Sequence, residues 1–475
     1  MDNNAGKLIS NYHRIRTEKY SLAEKNLQLV QQNQALLDKI ALLTNENEAK
    51  QKYINDILNS RSWKIINTTR KLTLRKPKQA TDNEPNPTKV SIKPKLPKSY
   101  SSHYEDNFDF SKYKSDIKPI AFYLPQFHTF PENNKWWGEG FTEWTNTRSA
   151  TPRFDGHYQP REPHDDFGYY TLDDKGILKK QIRLAKQHGV YGFSFYYYWF
   201  SGKKLMEKPL RIFLNNKDLN FPFCLCWANE NWTRRWDGKE KDILIAQSYS
   251  KNDPINFIKD IKEYLLDPRY IKVDNKPVIL VYNPAEIPDF ETVVKKWKDT
   301  AIKENIGEIE VWAKSNIFND DYKSDTLLDG EFDFAPNAFN FYDCSISHNA
   351  SGLLYDYKII FNKLSSLNIY EDHVYNLTFY YSATMGWDNS ARRKDAGYTV
   401  FTNYSPKTFY DWLKMIINIT RSKNPPDKRF IFINAWNEWA EGTYLEPDKK
   451  YGYTNINTLS RAIFDLPYSS ERKQK

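Results

Sequence analysis

The sequence predicts an α/β fold, a (β/α)8 TIM barrel, preceded by a long N-terminal coiled-coil helix and a disordered basic linker. Three observations carry this. Eight apolar, β-rich runs alternate with amphipathic helical stretches over about 350 residues. An apolar heptad series fills the first sixty residues. A run dominated by Pro and Lys separates the two regions.

In residues 1–60, Leu8, Ile15, Leu22, Leu29, Leu36 and Leu43 recur every seven residues, and Ile57 resumes the series after Lys50. A heptad held this long predicts a coiled coil, hence a homo-oligomer; the bland alternative is one amphipathic helix. The intervening positions are mixed, with Asn26, Asn33 and Asn47 beside Ile40 and Ile54. Polar residues there cost stability and help to set register.

Residues 61–75 place Trp63, Ile65, Ile66 and Leu72 among Arg61, Lys64, Arg70, Lys71 and Arg75. Such a segment either lies on an anionic membrane surface or continues the coil into solvent. Residues 76–117 form the linker, with Pro and Lys dominating up to Tyr100. The stretch Arg61–Lys98 alone carries a charge of +9, equal to that of the whole chain. The globular part is therefore balanced. The basic run lies mostly in a Pro-rich linker without interleaved aromatics, so nucleic acid is not an expected partner.

The barrel is assigned to residues 118–466, followed by a tail at 467–475. Its strands are read in "KPIAFYL", "YGFSFYYYW", "FPFCLCWA", "KPVILVYN", "IEVWAKS", "FDFAPNA", "LTFYYSAT" and "RFIFINAW". Continuous apolar strands between helices argue for a parallel sheet covered on both faces. The competing arrangement is a doubly wound open sheet. No G-x-G-x-x-G follows the first strand, which counts against a dinucleotide site. Cys224 and Cys226 fall on one strand face as small apolar residues; with Cys344 they make an odd count of three and no disulfide framework. A reducing cytoplasm is the expected setting, at the inner face of the plasma membrane if residues 61–75 bind lipid. No signal peptide and no membrane-spanning run is read.

In a barrel, chemistry gathers at the C-terminal ends of the strands. There the sequence offers Tyr123 and His128 after the first strand, Trp199 at the end of the second, and Asn229, Glu230 and Trp232 after the third. Trp387 follows the seventh, and Trp436, Asn437, Glu438 and Glu441 follow the eighth. Indole rings beside Glu, Asn and Asp suit a sugar, which presents an apolar C–H face and a rim of hydroxyls. Two carboxylates are the usual equipment for glycosidic-bond chemistry, one neutral and one ionised. Glu438 and Glu441 are the candidate catalytic pair; the other nine residues named are candidate substrate contacts. No zinc-type His/Cys cluster and no D-x-D triplet occurs, so neither a metal nor a cofactor is expected.

"NEWAEGTYLEP" resembles the glutamate motif of glycoside hydrolase family 99, the endo-acting α-mannosidases and α-mannanases. With "FYLPQFH", "WWGEGFTEWTN" and "WANENWTRRWDG", the region from Lys118 to Leu466 resembles the WbsX-type relatives of that family, found with bacterial O-antigen and capsule synthesis. The segment around Trp63 resembles one that often follows coiled coils in surface-polysaccharide enzymes. The resemblance implies an oligosaccharide or lipid-linked glycan as substrate. It also implies retention without a protein nucleophile: one carboxylate deprotonates the sugar 2-hydroxyl, which attacks the anomeric carbon to give an epoxide, while the other is acid and then base. By motif position Glu438 assists the 2-hydroxyl and Glu441 is the acid/base. The hydrolase motif often has His where this chain has Ala440. A nucleotide-sugar glycosyltransferase and a non-catalytic glycan-binding scaffold are the competing functions.

Overall fold

A computed structural model describes residues 101–234, 239–315, 327–336, 344–349, 352–366, 377–393 and 397–468. The coiled coil, the basic segment, the linker up to residue 100 and the end of the tail lie outside the described residues.

Among the described residues, nine strands form one parallel sheet: β1 (Lys118–Tyr123), β2 (Gly192–Phe200), β3 (Phe223–Trp227), β4 (Lys276–Val281), β5 (Glu310–Lys314), β6 (Gly330–Phe332), β7 (Thr378–Tyr380), β8 (Ser382–Thr384) and β9 (Phe430–Asn434). They run β7-β6-β5-β4-β3-β2-β1-β9-β8. The two ends of that path, β7 and β8, are neighbours in the chain, separated by Tyr381 alone. They are halves of one stave. The Tyr380 carbonyl accepts the Asp333 N–H at 2.9 Å, and that of Tyr381 accepts the Phe432 N–H at 2.8 Å. The sheet thus closes into eight staves in sequential order, a (β/α)8 barrel.

The outer layer is α1 (Lys175–Gln187), α2 (Lys208–Asn215), α3 (Asp253–Leu265), α4 (Phe290–Lys303), α5 (Tyr357–Ser366), α6 (Pro406–Lys423) and α7 (Thr454–Ile463). Local chemistry sets their starts. The Asp174 carboxylate caps α1 by accepting the Gly176 N–H at 2.7 Å, and Pro406 opens α6 where its missing N–H costs nothing. Each long helix buries one stripe, in α6 Phe409, Trp412, Leu413, Ile416 and Ile417. The short helices α2, α5 and α7 are too brief for their periodicity to stand out in the sequence.

Side chains alternate across each stave. On β1, Phe122 points into the barrel, stacking on Tyr196 at 5.9 Å and Phe432 at 5.2 Å between ring centroids, whereas Tyr123 points out to Gln181 of α1. Aromatic rings therefore fill the interior, each worth roughly 1.5–3 kcal/mol of burial.

Two boundaries differ from expectation. The sixth strand is Gly330–Phe332, upstream of most of "FDFAPNA". Residues 101–117, assigned to the linker, pack on the barrel: Phe110 and Ile117 are buried, and Glu105 pairs with Arg461 at 2.9 Å. That stretch replaces Pro and Lys with aromatics and acids, and it helps to cover α7, every residue of which is buried. Among the described residues no helix is long and apolar enough to cross a membrane.

Candidate active site

The chain leaves β9 at the C-terminal mouth of the barrel and makes a tight hairpin. Asn437–Glu438 pairs antiparallel with Thr443–Tyr444, and one turn of 3-10 helix, Trp439–Glu441, forms its tip. Asn437 pins the hairpin to the end of β1: its side chain accepts the Leu124 N–H at 2.8 Å and donates to the Leu124 carbonyl at 3.0 Å. Gly442 closes the tip at φ +65, a left-handed conformation open to glycine.

This geometry brings the two predicted acids together. Arg392, eight residues beyond β8, bonds Glu438 through Nη2 at 2.9 Å and Glu441 through Nη1. Its Nε donates to Glu143 at 2.9 Å, so one guanidinium faces three carboxylates. The Glu438 side chain is 6% exposed and that of Glu441 21%, so Glu441 is the more open acid. Burial, opposed by Arg392 and reinforced by Glu441 and Glu143, pushes the Glu438 carboxyl up to about 8. Burial also raises Glu143, against Arg392. Arg392 stays charged: the three carboxylates hold its pKa above the ordinary value although burial works the other way. Three carboxylates on one cation leave an excess of negative charge, and a proton retained at neutral pH relieves it.

The Arg392 loop is itself anchored. Asp388 is fully buried and accepts from His157 Nε2 at 2.9 Å, Gln159 Nε2 at 2.8 Å and Arg161 at 3.2 Å. Against burial, His157, Arg161 and the Ser390 hydroxyl hold its carboxyl well below the usual range.

The remaining predicted residues are not gathered around the acids. Trp199 points outward, its Nε1 donating to Asp260 of α3 at 2.6 Å, and Tyr123 likewise faces α1. Trp436 turns its Nε1 to Glu446 at 3.1 Å. Asn229 clamps the ends of β3 and β4, donating to the Asn283 carbonyl at 2.6 Å and accepting the Asn283 N–H at 2.7 Å. Asn283 also donates to half-buried Glu230 at 3.3 Å. Trp232 packs with Phe130, Phe200, Leu205 and Met206. His128 is buried with Nδ1 2.8 Å from the Pro125 carbonyl oxygen, and burial lowers its pKa. Trp387 is half-buried in the Arg392 loop.

Several residues escaped the sequence reading. Tyr198 shares the inward parity of Tyr196; burial first, then the nearby Glu438 charge, holds its phenol well above the usual value. Glu446, the third glutamate of the motif, is a buried brace. Its Oε1 accepts from Gln181 at 2.7 Å and Trp436 at 3.1 Å, and its Oε2 from Tyr170 at 2.8 Å and Trp439 at 2.7 Å. Burial pushes this carboxyl up to about 7 against those donors. Trp436 and Trp439 are thus buried struts of the hairpin, both bonded to Glu446. Ala440 is fully buried and packs with Ala150 and Ala391.

The family described as Glycosyltransferase WbsX matches residues 119–459. Two curated relatives, both named Uncharacterized protein WxcX, come from Xanthomonas campestris pv. campestris strains B100 and ATCC 33913. Each is 37% identical over 353 residues, 73% of this chain and 50% of the relative, so the chain spans about half the length of these proteins. Among solved structures, one titled Glycoside hydrolase-like protein aligns at TM-score 0.49 and 13% identity, over 76% of this chain and 97% of that one. The GH99 endo-alpha-mannosidase from Bacteroides thetaiotaomicron aligns at TM-score 0.44 and 15% identity, over 74% and 96%.

Proposed function

The chain belongs to the WbsX glycosyltransferase family, and we propose that it acts on a glycosidic bond in the assembly of bacterial O-antigen or capsular polysaccharide. The observation that carries this reading is the convergence of Glu438 and Glu441 on one guanidinium at the barrel mouth. The substrate is an oligosaccharide or lipid-linked glycan. The heptads of residues 1–60 join copies of the chain, and residues 61–75 supply contact with an anionic membrane.

The reaction proceeds with retention in two steps. In the first, one carboxylate removes the 2-hydroxyl proton as that oxygen attacks the anomeric carbon, while the other group protonates the departing glycosidic oxygen. In the second, that group takes a proton from water or an acceptor hydroxyl as it opens the epoxide, and the first returns its proton to O2. The motif assigns the 2-hydroxyl to Glu438 and the leaving oxygen to Glu441. Before substrate arrives, burial favours the proton on Glu438. To take up the 2-hydroxyl proton, Glu438 must first lose this one.

The family description, a glycosyltransferase, leaves room for a second reading: sugar transfer, with a nucleotide sugar as the donor we would test. Deleting the gene in its host and restoring wild type or Glu441→Gln separates the possibilities, with surface and lipid-linked glycans read by mass spectrometry. The proposal expects wild type to restore the glycan and the equally abundant variant to fail. A product larger by one residue, formed only with nucleotide sugar, establishes the second reading. Full restoration by Glu441→Gln overturns the acid/base assignment.

A further inference from the structure

Glu143 lies at the start of the short helix Glu143–Ser149, between β1 and α1, and its backbone N–H donates to the Gln126 carbonyl at 3.0 Å. Its side chain is fully buried. One oxygen accepts from Arg392 Nε at 2.9 Å; the other, Oε2, finds no hydrogen-bond partner among the described residues. Burying a carboxylate this way is costly unless its charge is used. Its use is visible in the fork of Arg392. A guanidinium is planar and rigid, so fixing Nε fixes where Nη1 and Nη2 point. With Nε held from behind by Glu143, the terminal nitrogens reach Glu441 and Glu438.

We propose that Glu143 is a positioning residue: through Arg392 it sets the separation of Glu438 and Glu441, and it adds a third carboxylate beside them. This rests on the reading of those two acids as the reacting groups. The groups facing Glu438 are Arg392, Glu441, Glu143 and the phenols of Tyr196 and Tyr198. Of these, Glu143 contributes a like charge while itself fully buried. Gln at this position keeps an oxygen for Nε and removes the charge; Ala removes both. Lys at 392 keeps a cation and loses the fork.

The test uses the full chain as wild type, Glu143→Gln, Glu143→Ala and Arg392→Lys. Two readouts are taken: pH-resolved infrared difference spectra of the protonated carboxyl, assigned by its loss in Glu438→Gln, and turnover of host glycan against pH. Glu143→Gln is expected to move the Glu438 titration down by about one pH unit. Turnover should fall about ten- to a hundredfold with KM little changed, its pH profile moving the same way. Arg392→Lys should lose turnover despite its charge. An unmoved titration in a folded Glu143→Gln overturns the proposal, as does Arg392→Lys with wild-type turnover. If no glycan is turned over by wild type, the functional reading fails while the titration still decides the role of Glu143. If Glu143→Gln does not fold, Arg392→Lys decides it.

Discussion

The backbone N–H of Asp388 donates to the carbonyl of Glu441 at 2.7 Å. This bond sews the loop that carries Arg392 to the hairpin that carries the acids. Both loops start from neighbouring staves, β8 and β9, which pair from Ser382↔Phe432 to Thr384↔Asn434. A rigid sheet below and one backbone bond above give the cation and the acids a common frame.

Gly442 guards that seam. A Cβ there would lie 2.7 Å from Asp388 Cβ and 3.0 Å from the Arg161 guanidinium, at φ +65. Gly442→Ala should cost about 1–3 kcal/mol, by strain and displacement together. The urea midpoint measures it; an unchanged midpoint contradicts the tight seam.

Ala440 reports on the difference from the hydrolase motif. Inserting imidazole against Ala150 and Ala391 overpacks a buried site. Ala440→His is expected to destabilise by about 1–3 kcal/mol. A variant as stable as wild type would mean that the two alanine loops part easily.

Glu446 should tolerate its own amide poorly. All four partners donate, so an NH2 on either arm would face donors. Glu446→Gln should lose about 2–3 kcal/mol, since an unmade bond to a buried group costs its desolvation. Thermal unfolding with near-ultraviolet dichroism of Trp436 and Trp439 would register this; retention of both signals would rule out the brace.

The raised Glu438 carboxyl makes stability depend on pH. With a folded pKa of about 8 against an ordinary 4.5, the folded state holds this proton more tightly than the unfolded chain. Its contribution is complete below pH 4.5 and is lost as pH climbs to 8, at up to about 1.4 kcal/mol per unit. Glu446 titrates within the same window, so the comparison must be a difference. Glu438→Gln, neutral throughout, should gain on wild type steadily across that range. Parallel denaturation curves at pH 5 and pH 8 would show that Glu438 ionises normally.

Much of this was legible from residues alone, and the misses have a common cause. Continuous apolar runs announced the staves, because a barrel strand is buried on both faces. The same feature hides which face is inward. Tyr123 and Trp199 fall on the outer parity of β1 and β2, whereas Tyr198 falls on the inner one. The stacked series Phe122, Tyr196 and Phe432 could have been proposed only by assuming a register. The acids were found because both lie in one short motif. Arg392 and Glu143 were not: the ion pair spans 249 residues, and no local pattern encodes it. Glu143 also sits on a helix of only seven residues, too short for a periodicity to show.

The central claim is that Glu438 and Glu441 work on a glycosidic bond. The direct measurement is to incubate the purified full chain with host lipid-linked and surface glycans in water enriched in 18O, and to follow masses. The account predicts either a shorter glycan with 18O at its new reducing end, or a rearranged glycan without it, and loss of both products in Glu438→Gln and Glu441→Gln. Glycans unchanged by wild type, or changed equally by the two variants, would contradict it.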